Sequence, residues 1–351
     1  MVGHYIALDV HCGFSEIAVV TERGKLVRRE RCETAIPSIV ERLSAVRRPR
    51  RVTFEEGPLA DWLSRELRPH ADEVLVCEPR RNHWIARDAD KDDPIDAFKL
   101  AELYRGGFLK TVHQTDSLER SLLKQHVLLY HDRVRDRVRQ GHQLVALCRR
   151  HGTFVKAADL RDDGEWKHCL DRLPAGSLLR PAWESGREVY LLMVEREQEL
   201  WTALVGTARN IDVVRRFEAL PGIGWIRGLT FYALIDTPHR FPGKSALWRY
   251  CGIGLERRHS GNGPVRTRVT RQGHRRLKDV LLGAAKSAVA QAENAFADRH
   301  RAWKEEGVHP ANARRNVARA IASTLWSLWK TGQTYDPQKA TSKWPVSLDR
   351  R

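Results

Sequence analysis

The sequence has no apolar run approaching the roughly 18 to 20 residues that a membrane span requires. Its start, MVGHYIALDVH, lacks a basic stretch followed by a long apolar one. A spanning protein and a secreted one are therefore not expected, and a cytoplasmic location is. The six cysteines (Cys12, Cys32, Cys77, Cys148, Cys169, Cys251) include no Cys-x-x-Cys pair. That spacing offers neither a zinc site nor a disulfide framework, so the cysteines are read as reduced packing residues. Acidic residues are also short: 44 Asp and Glu against 61 Lys and Arg leave a formal net charge of +17 over 351 residues. Such a surplus speaks of partners rather than of fold, and the phosphate backbone of nucleic acid is the commonest soluble one. With 42% hydrophobic residues and 11 Trp there is ample material for a core, which excludes wholesale disorder. The length predicts more than one domain.

Alternation and turn residues predict three opening strands, Tyr5 to Val10, Glu16 to Thr21 and Lys25 to Arg31. A helix over Pro37 to Val46, a strand Arg51 to Glu55, a helix Leu59 to Leu67, a strand Glu73 to Cys77 and a helix Asp93 to Tyr104 follow. A sheet that begins antiparallel and continues through helical crossovers has the topology of the ribonuclease-H-like fold. From about Thr115 to Arg150 the chain lacks proline and reads as one long helix. It can pair with a second helical run, Arg187 to Val205, as an antiparallel coiled-coil arm, or the two can be ordinary surface helices. The expected domains are 1–112, an α/β domain; 113–209, the helical arm; 210–335, a mainly α-helical unit; and 336–351, a mobile tail.

Four acids stand where they can converge. Asp9 lies near the end of the first strand and Glu55 at the end of the fourth. Asp93 and Asp96 are three apart on a helix and so share a face. If strands one and four are neighbours, all four point to one spot, and carboxylates that close repel unless cations intervene. Hard oxygen donors suit Mg²⁺ or Mn²⁺, which could orient a phosphodiester and stabilise the charge that builds during its cleavage. Glu56 adjoins Glu55, and Asp90 and Asp92 adjoin Asp93, so the facing residue in each group stays open.

Further on, Leu220-Pro-Gly-Ile-Gly224 reads as the hairpin of a helix-hairpin-helix element, with Gly222 and Gly224 letting backbone N–H groups approach a phosphate. A plain helix-terminating turn is the alternative. Between Glu256 and Lys278 lie eight cations, Arg257, Arg258, Arg266, Arg268, Arg271, Arg275, Arg276 and Lys278, against the single acid Glu256. Glycines, among them Gly261, interleave the run, which reads as a phosphate-binding stretch. The terminal helix, Ala311 to Thr331, places Val317, Ile321, Leu325 and Leu328 on one face and reads as core packing.

The segments ALDVH, FEEGP, DKDDPIDAFKLAELYRGG, LPGIG, YCGIG and HSGNGPVRTRVTRQGHRRLKDVLLGAA together resemble the DEDD transposases of the IS110 insertion-sequence family, relatives of the Piv DNA invertases. The likeness spans nearly the whole chain, with two departures in the third segment: Asp92 stands for the usual Thr and Pro94 for the usual Arg. The resemblance implies a RuvC-like first domain whose metal-binding acids are Asp9, Glu55, Asp93 and Asp96. It further implies a nucleophilic Ser260, in the Ser260-Gly261 pair, that joins covalently to a DNA phosphate. Donor and target DNA, a bridge RNA that guides their choice, and a homo-oligomer of two to four copies with composite active sites are implied with it. The bacterial cytoplasm and nucleoid are the implied setting. A RuvC-like Holliday-junction endonuclease would need the four acids without Ser260, a site-specific invertase would share the serine chemistry, and a catalytically dead nucleic-acid binder would need none of the five.

Overall fold

The computed structural model describes residues 3–79, 93–258, 266–291 and 293–338, with residues 93, 94, 257, 258, 266 and 267 described as backbone only. The chain divides into two compact units, 1–121 and 122–351.

In the first unit, β1 (His4–Val10), β2 (Phe14–Thr21), β3 (Leu26–Glu33), β4 (Arg50–Glu55) and β5 (Glu73–Cys77) form one mixed sheet in the order β3-β2-β1-β4-β5. The first three strands are antiparallel; β4 and β5 join β1 in parallel through the crossover helices α1 (Ile36–Ser44) and α2 (Ala60–Leu67). Pro37 sits in the first turn of α1, where its missing N–H has no intrahelical partner to lose.

Side chains alternate between the two faces of a strand, and both faces are covered here. Ile6, Leu8, Ile17, Val19, Val52, Phe54 and Val76 pack against Ile39 and Leu43 of α1 and Leu63 and Leu67 of α2. Burial of Phe54 alone contributes about 2–3 kcal/mol. The opposite face presents Ala7, Val20 and Cys77 to Leu100 and Ala101 of α3 (Asp93–Arg105). Two covered faces explain why β2 reads as the nearly unbroken apolar run IAVV rather than as an alternation.

The long helix α4 (Leu118–Arg150) has 33 residues, and α6 (Leu179–Arg209) has 31. They run antiparallel: Arg137 pairs with Glu197 at 2.5 Å, Gln140 donates to the Gly186 carbonyl at 3.2 Å, and the His151 and Trp183 rings lie 5.4 Å apart. α6 starts well before Arg187 because Pro181 falls in its first turn and does not break it. A short helix that the sequence pattern did not reveal, α5 (Asp163–Asp171), is capped by the Asp162 carboxylate accepting from the Glu165 amide at 2.9 Å. Its Trp166, Cys169 and Leu170 build a core at the arm tip with Leu144, Cys148, Trp183 and Tyr190.

The rest of this unit is helical: α7 (Asp212–Glu218), α8 (Trp225–Ile235), α9 (Lys244–Tyr250), α10 (Arg275–Ala290), α11 (Ala295–Glu305) and α12 (Pro310–Thr331), with one hairpin, β6 (Leu255–Arg258) and β7 (Arg266–Val269). Phe217, Phe231, Leu281, Ala285, Ile321 and Leu325 form its centre. The Trp329 ring lies against that of Tyr232, tilted, at 4.9 Å, in keeping with the packing role read for the terminal helix. At the arm's base, Val127, Leu204 and Ala208 share a cluster with Val214, Leu229 and Ala233, so arm and helical unit are continuous in their packing. No helix among the described residues is long and apolar enough to cross a membrane.

Candidate active site

Strands β1 and β4 are parallel neighbours, with Leu8 opposite Phe54. One residue further, Asp9 and Glu55 occupy matching places at the carboxyl ends of both strands. Because Leu8 and Phe54 point to the α1/α2 side, Asp9 and Glu55 point to the other, beneath α3. Glu56 is exposed beyond the strand end, its amide donating to the Cys77 carbonyl at 2.8 Å. The geometry thus puts Glu55, not Glu56, on the Asp9 face.

Helix α3 lies on β1 and β2 through Ala97, Leu100, Ala101 and Tyr104. The Tyr104 ring meets the Tyr5 ring edge-on at 5.3 Å, and Phe98, earlier in the helix, lies under the guanidinium of Arg29 at 5.9 Å, level with Ala18 and Ala7, so the two contacts together set the helix antiparallel to β1. From Tyr104 back to Asp96 is about 12 Å of helix. From Tyr5 on to Asp9 is about 13 Å of strand. The two acids therefore come to the same end of the same face. Asp96 Oδ1 is buried without a hydrogen-bond partner among the described residues. The backbone of Asp93 stands one turn earlier in α3, at its first position, and the Asp93 side chain lies outside the described residues. Among the described residues no three acid, histidine or cysteine side chains stand close enough to hold a metal ion.

Two neighbours of Asp9 are not evident from motif spacing. His11 Nε2 lies 3.3 Å from Asp9 Oδ2. Glu16 is the direct cross-strand partner of Asp9, and Arg31 is in turn the partner of Glu16. Glu55, Asp9, Glu16 and Arg31 thus form one row across four strands. The signal in the sequence was there: Glu16 interrupts an otherwise apolar strand on the face that carries Asp9.

In the second unit the predicted nucleic-acid contacts separate. Ser260 and Gly261 fall between β6 and β7, outside the described residues, while Arg257, Arg258 and Arg266 lie on the hairpin strands, where Arg258 pairs with Arg266 in the backbone register. Arg268, Arg271 and Arg275 are exposed and Lys278 is half-buried. Arg276 departs from the expectation of a phosphate contact: its guanidinium pairs with Asp132 of α4 at 2.5 Å and is mostly covered, so it ties α10 to the arm. Gly222 departs as well. It is buried at φ +81°, and a Cβ there would lie 2.2 Å from the Ala284 carbonyl oxygen, so packing against α10 dictates glycine at this position. Arg227 locks the turn by donating to the Gly222 carbonyl at 2.7 Å and to Ser287 Oγ at 2.9 Å. Gly224, at the start of α8, is exposed with open space around it.

The first family match falls on the helical unit: residues 214–301 fit the transposase family described as IS116/IS110/IS902. Residues 6–151, spanning nearly all of the sheet, the four acids Asp9, Glu55, Asp93 and Asp96, and the whole of α4, fit the DEDD transposases of IS110 type. The chain belongs to the IS110 transposase family. This IS110-family chain is 23% identical over 135 residues to the transposase for insertion sequence element IS1111A of Coxiella burnetii, covering 38% of the chain and 37% of that protein. It is 25% identical over 239 residues to "Putative transposase y4qE" of Sinorhizobium fredii, covering 66% of the chain and 57% of that protein. The aligned part of the IS110-family chain thus spans between about a third and three fifths of these relatives' lengths.

Near the hairpin, burial and the cations Lys124, Arg240 and Arg276 depress the pKa of His274 to about 4. Burial, with Arg276 beside it, depresses His131 likewise to about 4. His131 Nε2 lies 2.9 Å from Thr230 Oγ1, while Asp132 and Asp279 pull its pKa the other way. Both rings are neutral in the fold and would take up protons near pH 6.5 when unfolded. The unfolded chain therefore binds more protons between pH 6.5 and 4, and stability falls as the pH drops through that window, together by on the order of a few kcal/mol. Thermal melts at pH 7.5, 6 and 5 should show the decline, and His274→Gln should remove about half of it, leaving the part due to His131.

Proposed function

We propose that this protein cuts and rejoins DNA as an insertion-sequence transposase. The observation that carries the reading is the placement of Asp9 and Glu55 at matching ends of adjacent parallel strands, beneath the helix that carries Asp93 and Asp96. The strand order β3-β2-β1-β4-β5, with acids at these strand ends, supports reading the unit as a RuvC-like, ribonuclease-H-like domain. The fit to a divalent cation rests on an all-carboxylate donor set and on the orphaned, buried Asp96 Oδ1. Mg²⁺, or Mn²⁺, would supply charge stabilisation at the phosphate oxygens undergoing cleavage. Asp9, Glu55, Asp93 and Asp96 would hold it, and the rigid sheet would keep their spacing fixed while DNA enters.

Ser260 is the proposed nucleophile. Its Oγ would form a phosphoserine ester as one P–O bond of the DNA breaks, so that the bond energy is kept for rejoining. Arg268, Arg271, Arg275 and Lys278, with Arg257, Arg258 and Arg266 on the hairpin, would neutralise DNA phosphates, and Gly224 would offer the exposed end of a helix-hairpin-helix-like element. Binding should weaken steeply with salt. A bridge RNA that chooses donor and target, and an assembly of two to four copies, complete the proposal.

The test incubates purified protein and Mg²⁺ with a junction DNA and the RNA transcribed from its flanking non-coding sequence. The expected product is a protein–DNA adduct that survives denaturation, is lost in Ser260→Ala and depends on the RNA, while DNA binding by the variant stays within about twofold. Adducts persisting in Ser260→Ala would remove the serine from the mechanism. Cleavage with no adduct in the wild type, still dependent on Asp9, would replace it with a metal-dependent junction nuclease.

A further inference from the structure

The row that crosses the sheet holds one acid besides Asp9 and Glu55, the two of its members assigned to the cation. Glu16 sits on β2 directly opposite Asp9 and on the same face, and is only 3% exposed. Like charges directly opposite one another on a sheet repel, and a buried carboxylate is costly in its own right. Its strand neighbours Ile17, Ala18, Val19 and Val20 are all buried and apolar, so packing alone would be served by another such residue.

Arg31 answers part of that charge. Its Nε donates to Glu16 Oε1 at 2.5 Å, and its guanidinium is steadied over the Phe14 ring at 4.2 Å. The Phe14 ring in turn lies 4.6 Å from the ring of His11, whose Nε2 is the group 3.3 Å from Asp9. Acid and arginine thus stand one strand and two strands away from the proposed cation ligand, in register with it, and linked back to it through two rings.

We propose that Glu16 and Arg31 are a positioning pair whose opposed charges set how tightly the Asp9 end of the site holds its divalent cation. The inference rests on the reading of Asp9 and Glu55 as cation ligands. Glu16 adds negative potential at the site and Arg31 subtracts from it; neither touches the reacting atoms. The pair keeps the affinity low enough for the cation to exchange and high enough for it to bind, and it does so without adding a ligand.

The charges have opposite signs, so the two single variants must move the affinity in opposite directions. Mn²⁺ binding to the full chain, without nucleic acid, is read by the loss of the free-ion electron paramagnetic resonance signal. Glu16→Gln leaves an unbalanced cation two strands from Asp9 and should raise the Mn²⁺ dissociation constant roughly tenfold. Arg31→Gln leaves Glu16 unbalanced and should lower it by a similar factor. The double variant should return to within about threefold of the wild type, and so should Arg31→Lys, which keeps the charge. Arg31 is more than half exposed, so its variants are expected to fold, and the sign of their shift decides the matter by itself. Weaker binding in both single variants, the mark of a merely structural pair, overturns the proposal, as does no change in either. Loss of binding in Asp9→Asn confirms the site itself in the same series. Wild-type protein that binds no Mn²⁺, or an Asp9→Asn variant that binds it unchanged, overturns the cation reading and this inference with it.

Discussion

Asp9→Asn is expected to stop DNA strand cleavage, by roughly a thousandfold or more, and at the same time to make the cation-free protein harder to melt. The first effect follows from removing a charged group proposed to hold the cation, since cation stabilisation of the reacting phosphate is worth several kcal/mol of barrier. The second follows from the row in which Asp9 stands. It has Glu16 opposite on one side and Glu55 in the matching place on the other, a repulsion that Arg31 on Glu16 and His11 beside Asp9 offset in part. Asparagine keeps the shape and removes the repulsion. A melting temperature a few degrees above wild type without Mg²⁺, with the order reversed when Mg²⁺ is added, is the combined signature, because only the wild type gains stability by binding the ion. An Asp9→Asn variant that melts lower than wild type under both conditions would show that Asp9 is held by structural contacts instead.

The second large effect is on stability alone. Gly222→Ala should destabilise the helical unit by about 3 kcal/mol or more, whereas Gly224→Ala, two residues on in the same motif, should change it by less than about 1 kcal/mol. At residue 222 the backbone is at φ +81°, and the new Cβ would meet the Ala284 carbonyl oxygen at 2.2 Å and the Ala288 amide nitrogen at 2.9 Å. Both obstacles are main-chain atoms of α10, so relief requires the helix to move, and the bonds from Arg227 to Gly222 and Ser287 would break with it. At residue 224 nothing lies within 4 Å of the added carbon and φ is −101°. Urea denaturation of the two variants gives the comparison directly. Similar losses for both would show that the motif acts as a single turn rather than as a packed glycine followed by a free one.

Much of the first unit could be read from residue order. Its strands and crossover helices lie within a few residues of the predicted ones, because IALDV, VTFE and EVLVC are short apolar runs between clear turn residues. The facing of Glu55 over Glu56 could not be read, since it depends on where β4 ends relative to β1 and on the alternation that Phe54 anchors. The role of Glu16 is hidden for a related reason. A carboxylate in an apolar strand is visible, but that it faces Asp9 is a property of the β1–β2 register, which the turn at Cys12 and Gly13 sets in space rather than in composition.

In the helical unit the basic run was plain and its division was not. Arg275 and Arg276 are adjacent letters, yet α10 turns one outward and the other onto Asp132, far away in sequence. Helix α5 is not legible because DGEWKHCLD is nine residues long and its apolar content is three side chains, enough to close a tip only once the two long helices already flank it. The motif LPGIG does link two helices as its sequence suggests, but the reason for its first glycine is the neighbouring helix rather than a phosphate.

The charged row also bears on how the sheet is assembled. Side chains alternate from face to face, so sliding β2 along β1 by a single residue would turn Glu16 into the space among Ile6, Leu8, Ile39 and Phe54, where no cation waits for it. The same slip would turn Ile17 and Val19 away from α1 and α2 to the side that α3 covers. An apolar strand such as IAVV, with both faces buried, otherwise offers little to tell neighbouring alignments apart, and the buried carboxylate supplies the missing distinction. A hairpin mispaired by one residue would bury that charge among apolar side chains, so the acid opposite Asp9 favours the aligned pairing of β1 and β2.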